Sequence, residues 1–177
     1  LDDVLTDIKF SNVAWNNDKG IFYKKNSNKE FFEKDSTYQL YYHKIGDIQS
    51  KDQLVFDTSK EKSNFSFFTK EDKLFIIEES EDEITTNYYY SDLNNEMFQF
   101  TNFLKDNNSN IDFLNIKNNK FYFSDEKYPW GNISYFDINN PNENQILIPQ
   151  VYTHLLIDAT FLEKYIICKY KNMGKYY

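Results

Sequence analysis

The sequence predicts an all-β fold built from repeated sets of four strands. Short apolar and aromatic runs recur along the 177 residues, with polar turns between them. The aromatic residues are mainly 15 Tyr and 17 Phe, types that fit the half-buried surface of a sheet. No heptad pattern or internal domain boundary stands out. The best helical candidate, residues 2–8, is short and fits either a single turn or an outer strand.

The predicted strands group into three complete sets of four and the start of a fourth. They are residues 10–15, 20–24, 39–45 and 53–56, then 64–69, 74–78, 87–93 and 97–103, then 111–116, 120–124, 133–138 and 145–148, then 155–162 and 165–169. The sets start about 45 to 55 residues apart, close to the length of a four-stranded propeller blade.

This repeat favours a partial β-propeller with antiparallel blades: about three blades and part of a fourth of a seven-bladed ring. The third strand of each complete set shows the repeat best, as QLYYHKIGD, NYYYSDLNN and NISYFDINN. Aromatic residues there precede Gly, Asn or Asp, which suit a tight turn. One blade cannot bury both faces of its sheet, but stacked blades can. A β-sandwich is the alternative, although it would not readily repeat four strands as a set.

The composition argues against several classes of function. The net charge of −8 and the lack of a basic stripe argue against nucleic-acid binding. Cys168 is the single cysteine, which excludes an intrachain disulfide and fits a cytoplasmic location. No apolar run is long enough to span a membrane. We expect no cofactor and no metal: residues 106–112 resemble the start of a calcium loop, but Ile111 and Lys117 occupy positions that need Gly and Glu.

The opening of the chain resembles the propeller of the prolyl oligopeptidase family. Residues 3–5 and 8–15 read DVL and IKFSNVAW, close to the family's D-V-L and V-K-F-S-x-x-A-W, and GIFY follows at residues 20–23. Residues 40–46 and 49–52, LYYHKIG and QSKD, are similar to the family's L-Y-Y-H-x-x-G and Q-S-x-D. Weaker matches continue to about residue 151.

The resemblance implies a gating role in a serine peptidase. In that family the propeller caps an α/β-hydrolase domain that holds a Ser-Asp-His triad and cleaves short peptides after proline. We therefore expect residues 1–177 to be a fragment of the propeller, without the hydrolase domain and without catalytic residues. The chain indeed has no G-x-S-x-G motif. The expected partners are the hydrolase domain of the same polypeptide and short proline-containing peptides.

Three residues are candidates for lining the substrate cavity. The resemblance implies that Phe10, from the K-F-S motif, points toward the active site; alternatively it is an ordinary core aromatic. Glu79 lies near a position where the family usually has an arginine, and Asp82 where it has a cysteine. If this acidic run faces the cavity it should favour basic peptides, although acidic runs are commonly solvated hairpin tips.

Three further residues are interpreted as structural, and three other functions also fit the sequence. His43 is interpreted as a packed strand histidine, and Trp15 and Trp130 as structural aromatics that pack between blades. The protein could instead be a stand-alone propeller that binds a protein partner, an enzyme similar to oligopeptidase B with a preference for basic residues, or an inactive relative.

Overall fold

The fold consists of four antiparallel sheets that follow one another along the chain. The computed structural model describes residues 3–8, 11–26, 38–59, 63–80, 85–107 and 111–177. They fall into two compact units, residues 1–108 and 109–177. The described residues contain no α-helix, and one 3-10 turn spans Gln49–Lys51.

The first unit holds two four-stranded sheets, each with its strands paired in chain order. Sheet I contains β1 (Val13–Asn16), β2 (Gly20–Asn26), β3 (Tyr38–Lys44) and β4 (Gln53–Asp57). Sheet II contains β5 (Asn64–Lys70), β6 (Lys73–Glu79), β7 (Thr86–Asp92) and β8 (Thr101–Asn107).

The second unit holds a four-stranded and a three-stranded sheet, again paired in chain order. Sheet III contains β9 (Ile111–Lys117), β10 (Lys120–Asp125), β11 (Ile133–Asp137) and β12 (Asn140–Ile148). Sheet IV contains β13 (Leu155–Phe161), β14 (Ile166–Asn172) and β15 (Lys175–Tyr176). The predicted pattern of three complete sets and part of a fourth is therefore confirmed.

The predicted strand at 97–103 is wrong in its first half, because β8 begins only at Thr101. Phe98 and Phe100, which suggested the earlier start, pack into the apolar core and do not pair with a neighbouring strand. The Phe98 ring lies 5.3 Å from that of Phe22, and the Phe100 ring 5.4 Å from that of Phe56. Residues 3–8 form neither the helical turn nor the strand that their pattern allowed.

Tight turns join β5 to β6 and β9 to β10. Glu71 and Asp72, between β5 and β6, have φ values of 49° and 54°, and Asn118 and Asn119, between β9 and β10, have 51° and 58°. Positive φ at both central residues is the mark of the two-residue hairpin turns that match strand twist. These two polar pairs therefore set the register of their hairpins.

Sheets I and II share one apolar core. Its residues are at most 7% exposed. Sheet I contributes Ala14, Phe22 and Leu40. Sheet II contributes Phe65, Phe67, Leu74 and Ile76, and Leu93 comes from the turn after β7. Side chains alternate between the two faces of a strand, so β5 sends Phe65 and Phe67, and β6 sends Leu74 and Ile76, into the space between the sheets. This packed seam fixes the positions of the side chains considered next.

Candidate functional site

Of the three predicted cavity residues, the described part of the chain contains Glu79. It ends β6, where it pairs with Asn64 of β5 and Thr86 of β7, and its side chain is exposed. Phe10 and Asp82 lie outside the described residues. The carboxylate of Glu79 is therefore accessible to solvent, and its role in a cavity stays a prediction.

Lys24 lies near Glu79 and clamps sheet I to sheet II. Its ammonium donates to the carbonyl oxygen of Phe65 at 2.6 Å and to Oδ1 of Asn64 at 3.3 Å. The same nitrogen lies 4.5 Å from the ring centre of Tyr38 and 4.4 Å from that of Phe65. Burial lowers the pKa of Lys24, and the negative charge of Glu79 opposes this shift. An ammonium between two aromatic faces stabilises the seam by cation–π attraction.

Glu78 points away from Glu79 and is nearly buried, at 8% exposure. Its carboxylate accepts hydrogen bonds from the hydroxyl of Ser63 at 2.6 Å and from that of Tyr89 at 2.7 Å. The carboxylate also lines a cleft of about 550 Å³ between β4 and sheet II. Strand alternation therefore places Glu78 inside and Glu79 outside, while residues 81–83 of the acidic run lie outside the described residues.

His43 belongs to a second polar cluster, on sheet I. It is 2% exposed, which confirms the interpretation as a packed strand histidine. Its Nδ1 lies 2.7 Å from Oδ1 of Asp52, and the Tyr23 hydroxyl donates to Oδ2 of the same carboxylate at 2.7 Å. Burial, followed by the hydrogen bond to Asp52, raises the pKa of Tyr23 to about 12. The segments YYH and QSKD are thus joined through the buried hydrogen bonds of His43 and Tyr23 to Asp52.

The two tryptophans remain partly exposed. Trp15 keeps 57% of its surface exposed and Trp130 keeps 37%. The predicted packing between sheets is therefore not what the structure shows for Trp15. Trp130 lies in a turn before β11, and its carbonyl accepts a hydrogen bond from the Leu156 amide of sheet IV.

Among the described residues, no three His, Cys, Asp or Glu side chains come together as a metal site would require. The same part of the chain contains no helix that is long and apolar enough to cross a membrane.

Successive four-stranded antiparallel sheets, each a simple meander, are the mark of the β-propeller class. The model of one family, described as the prolyl oligopeptidase N-terminal beta-propeller domain, matches residues 1–176. The chain belongs to this family. The resemblance stated from its sequence motifs and the all-β propeller class predicted from its repeats are both confirmed.

Curated relatives agree with this assignment. The prolyl endopeptidase of Elizabethkingia meningoseptica is 25% identical over 148 residues, covering 80% of this chain and 21% of that protein. The prolyl endopeptidase of Elizabethkingia miricola is 28% identical over 102 residues, covering 54% of this chain and 14% of that protein. The chain therefore spans at most about a fifth of the length of these curated relatives.

Solved structures show the same fold. Prolyl oligopeptidase B from Galerina marginata, bound to a 35mer substrate, superposes with a TM-score of 0.76 at 18% identity, covering 96% of this chain and 25% of that one. Oligopeptidase B from Leishmania major gives a TM-score of 0.68 at 12% identity, covering 93% of this chain and 23% of that one.

Proposed function

We propose that the chain is a non-catalytic section of the propeller in a prolyl oligopeptidase-type serine peptidase. In this proposal the propeller gates the access of short peptides to an α/β-hydrolase domain of the same polypeptide, which cleaves after proline. The observation that carries the proposal is the family match over residues 1–176. The shared name of the two curated relatives, prolyl endopeptidase, supports the reaction.

The packing of sheets I and II suits a wall around an enclosed site. An aromatic seam joined by the partly buried Lys24 resists opening between the sheets, and a closed wall restricts entry by size. Excluding water also strengthens the electrostatic interactions that stabilise a transition state. We place the enzyme in the cytoplasm, a proposal supported by the free thiol of Cys168.

We also propose that Phe10, Glu79 and Asp82 line the substrate cavity. Support comes from Glu79, which is exposed and lies at the end of a strand rather than within the packed seam. A carboxylate at this position would attract peptides with basic residues and repel acidic ones.

The gating proposal is tested on the full-length protein with one proline-containing sequence in two contexts. We expect hydrolysis when the sequence is a short fluorogenic peptide and no hydrolysis when it lies within a folded domain. Residues 1–177 expressed alone should give no turnover above a mock preparation. Equal rates for the short peptide and the folded domain would contradict gating.

The role of Glu79 is tested by charge reversal in the full-length protein. For Glu79→Lys we expect the ratio of kcat/KM for a Lys-containing over a Glu-containing peptide to fall about fivefold, the effect of roughly 1 kcal/mol of Coulomb energy in water. Glu126→Lys, an exposed glutamate in the turn after β10, is the matched control and should leave the ratio unchanged. The same change in both variants would assign the effect to net charge and refute a cavity role.

A second candidate is an enzyme similar to oligopeptidase B that prefers basic residues. The exposed Glu79 and the fold shared with the Leishmania major structure favour it. Parallel assays of the full-length protein, with peptides cleavable after proline or after lysine, separate the two enzymes. A stand-alone interaction propeller would hydrolyse neither peptide.

A further inference from the structure

The segment of residues 3–8, just before sheet I, is held against that sheet by polar contacts. The Asp3 carboxylate accepts a hydrogen bond from the Gly46 amide at 2.8 Å. The Thr6 amide donates to Oε1 of Gln49 at 2.9 Å, and Nε2 of Gln49 donates back to the Thr6 carbonyl at 3.0 Å. Asp3, Thr6 and Val4 are all exposed, so these hydrogen bonds, rather than apolar burial, dock this part of the segment.

His43 lies beneath this contact with one nitrogen committed and the other available. A carboxylate only accepts, so the 2.7 Å contact between Nδ1 and Asp52 means that Nδ1 carries a hydrogen. Nε2 is buried without a hydrogen-bond partner and lies 3.9 Å from Oδ2 of Asp3. In the neutral imidazole, Nε2 therefore turns a lone pair toward a carboxylate.

Protonation of His43 turns the repulsion between the Nε2 lone pair and the Asp3 carboxylate into an attraction. The added proton goes to Nε2, which then presents an N–H and a positive charge to Asp3. Histidine is the side chain whose charge ordinarily changes near neutral pH. The Tyr23 hydroxyl that donates to Asp52 stays protonated near neutral pH, because the pKa of this phenol is raised to about 12.

We propose that His43 is a pH-sensitive clasp for the segment of residues 3–8: the imidazolium holds Asp3 against sheet I, and the neutral imidazole loosens it. Because the segment leads into β1, the clasp sets how firmly the chain is held where it enters the first sheet. The inference concerns local opening and does not depend on the proposed peptidase function.

The groups around His43 support this direction. Among the described residues, those facing the imidazole are Asp52 beside the 3-10 turn, Asp3 of the segment, and Tyr23 of β2 through Asp52. Two carboxylates and a phenol that stays neutral surround one ring. The remaining charges of the turn, Asp47 and Lys51, pair with each other at 3.9 Å on its exposed side.

The test is hydrogen exchange of the Gly46 amide in the full-length protein, because this amide donates to Asp3. We expect its protection factor, corrected for intrinsic exchange, to be about twofold to fivefold higher at pH 5.5 than at pH 8, the range of a modest ion pair. Asp3→Asn keeps an acceptor for Gly46 but removes the charge, so the pH dependence should disappear. Asp47→Asn, on the exposed side of the same turn, should retain it.

Two results would overturn the clasp. One is a Gly46 protection factor that does not change with pH in the unmodified protein. The other is the same pH dependence in Asp3→Asn, which would show that protonation acts on the turn itself and not through Asp3.

Discussion

The seam between sheets I and II and the body of sheet IV are built from similar strands but bury very different amounts of surface. Eight apolar residues at most 7% exposed fill the seam, whereas every described residue of β13, β14 and β15 is at least partly exposed. Sheet IV has comparable apolar content, including Leu155, Ile157 and Ile167, each at least 40% exposed. Strand sequence thus makes the sheet, while burial depends on what packs against each face.

The two regions also differ in how a lysine is used. Lys24 of sheet I is partly buried and bonds to the carbonyl of Phe65 across the seam. Lys169 of sheet IV lies over the ring of Tyr176 at 4.8 Å on an exposed face of its own sheet. Lys24 joins two sheets, whereas Lys169 contacts only its own sheet. The same substitution should therefore change stability more at Lys24 than at Lys169.

The largest expected difference comes from removing one phenylalanine ring on each side of this comparison. Phe65→Ala empties a site that is 2% exposed and should lower the free energy of opening of sheets I and II by about 3–5 kcal/mol. Phe161→Ala removes a partly exposed ring 4.9 Å from Tyr122 and should cost less than half as much. Native-state hydrogen exchange of strand amides measures both.

Equal losses for the two phenylalanine variants would contradict the comparison, since they would show that sheet IV is as well covered as the seam. A loss at Phe65 below about 1 kcal/mol would show that the seam relaxes around the missing ring.

The next largest effect concerns buried polar groups. Asp52→Ala leaves the Tyr23 hydroxyl and Nδ1 of His43 without their acceptor and should cost about 2–3 kcal/mol in the opening of sheet I. The control in sheet IV is Asn172→Ala, which removes the 3.3 Å contact with Nε2 of His154 and should cost under about 1 kcal/mol. A cost at Asp52 no larger than that at Asn172 would show that the cluster is dispensable.

Most of the strands were predictable from the sequence because their signals are local. Alternating aromatic residues and Asn- or Gly-containing turns placed β2, β3 and β10 to within two residues. The start of β8 was missed because Phe98 and Phe100 were read as strand residues, and only the partners across the seam show that they pack outside the ladder. Local pattern does not distinguish these two uses of an aromatic residue.

The polar clusters were less predictable, because each joins residues that are distant in the chain. Glu78 and Glu79 look alike in an acidic run, and strand alternation alone does not say which of them faces a neighbouring sheet. Likewise, His43 was read as a packing residue, correctly, while its partners Asp52 and Asp3 come from a turn and from the preceding segment. The signal that could have found this cluster is the pairing of the YYH and QSKD motifs across the turn between β3 and β4.

A smaller effect is expected for the lysine clamp. Lys24→Met keeps the packing of the side-chain stem but loses the hydrogen bond to Phe65 and the cation–π contacts. Because Met also avoids the burial penalty that lowers the pKa of Lys24, the change should cost at most about 1 kcal/mol at pH 7. Lys169→Met, the matched change in sheet IV, should stay within about 0.5 kcal/mol. Hydrogen exchange across the seam reports the first, and exchange in β14 reports the second. A cost for Lys169→Met as large as that for Lys24→Met would contradict the cross-sheet role.

Lys24 also has a pH signature with a definite sign. Burial lowers its pKa in the folded state, so the unfolded chain binds this proton more tightly between the lowered value and the ordinary value of about 10.4. The Lys24 contribution to stability therefore increases as the pH rises through that window, and Lys24→Met should lack this increase. An identical slope of stability against pH in both proteins would show that the lysine is not desolvated.

The smallest effect is confined to alkaline pH and tests the buried hydroxyl of Tyr23. Its pKa is raised to about 12 in the folded protein, whereas an unfolded tyrosine ionises near pH 10. Its contribution to stability is therefore complete below about pH 10 and is lost as the pH rises toward 12. Tyr23→Phe should give a shallower fall in stability over this range, and it should remove one late-ionising tyrosine from the absorbance titration. If the late step persists in Tyr23→Phe, another phenol is responsible, and the hydrogen bond to Asp52 does not hold the proton as the geometry requires.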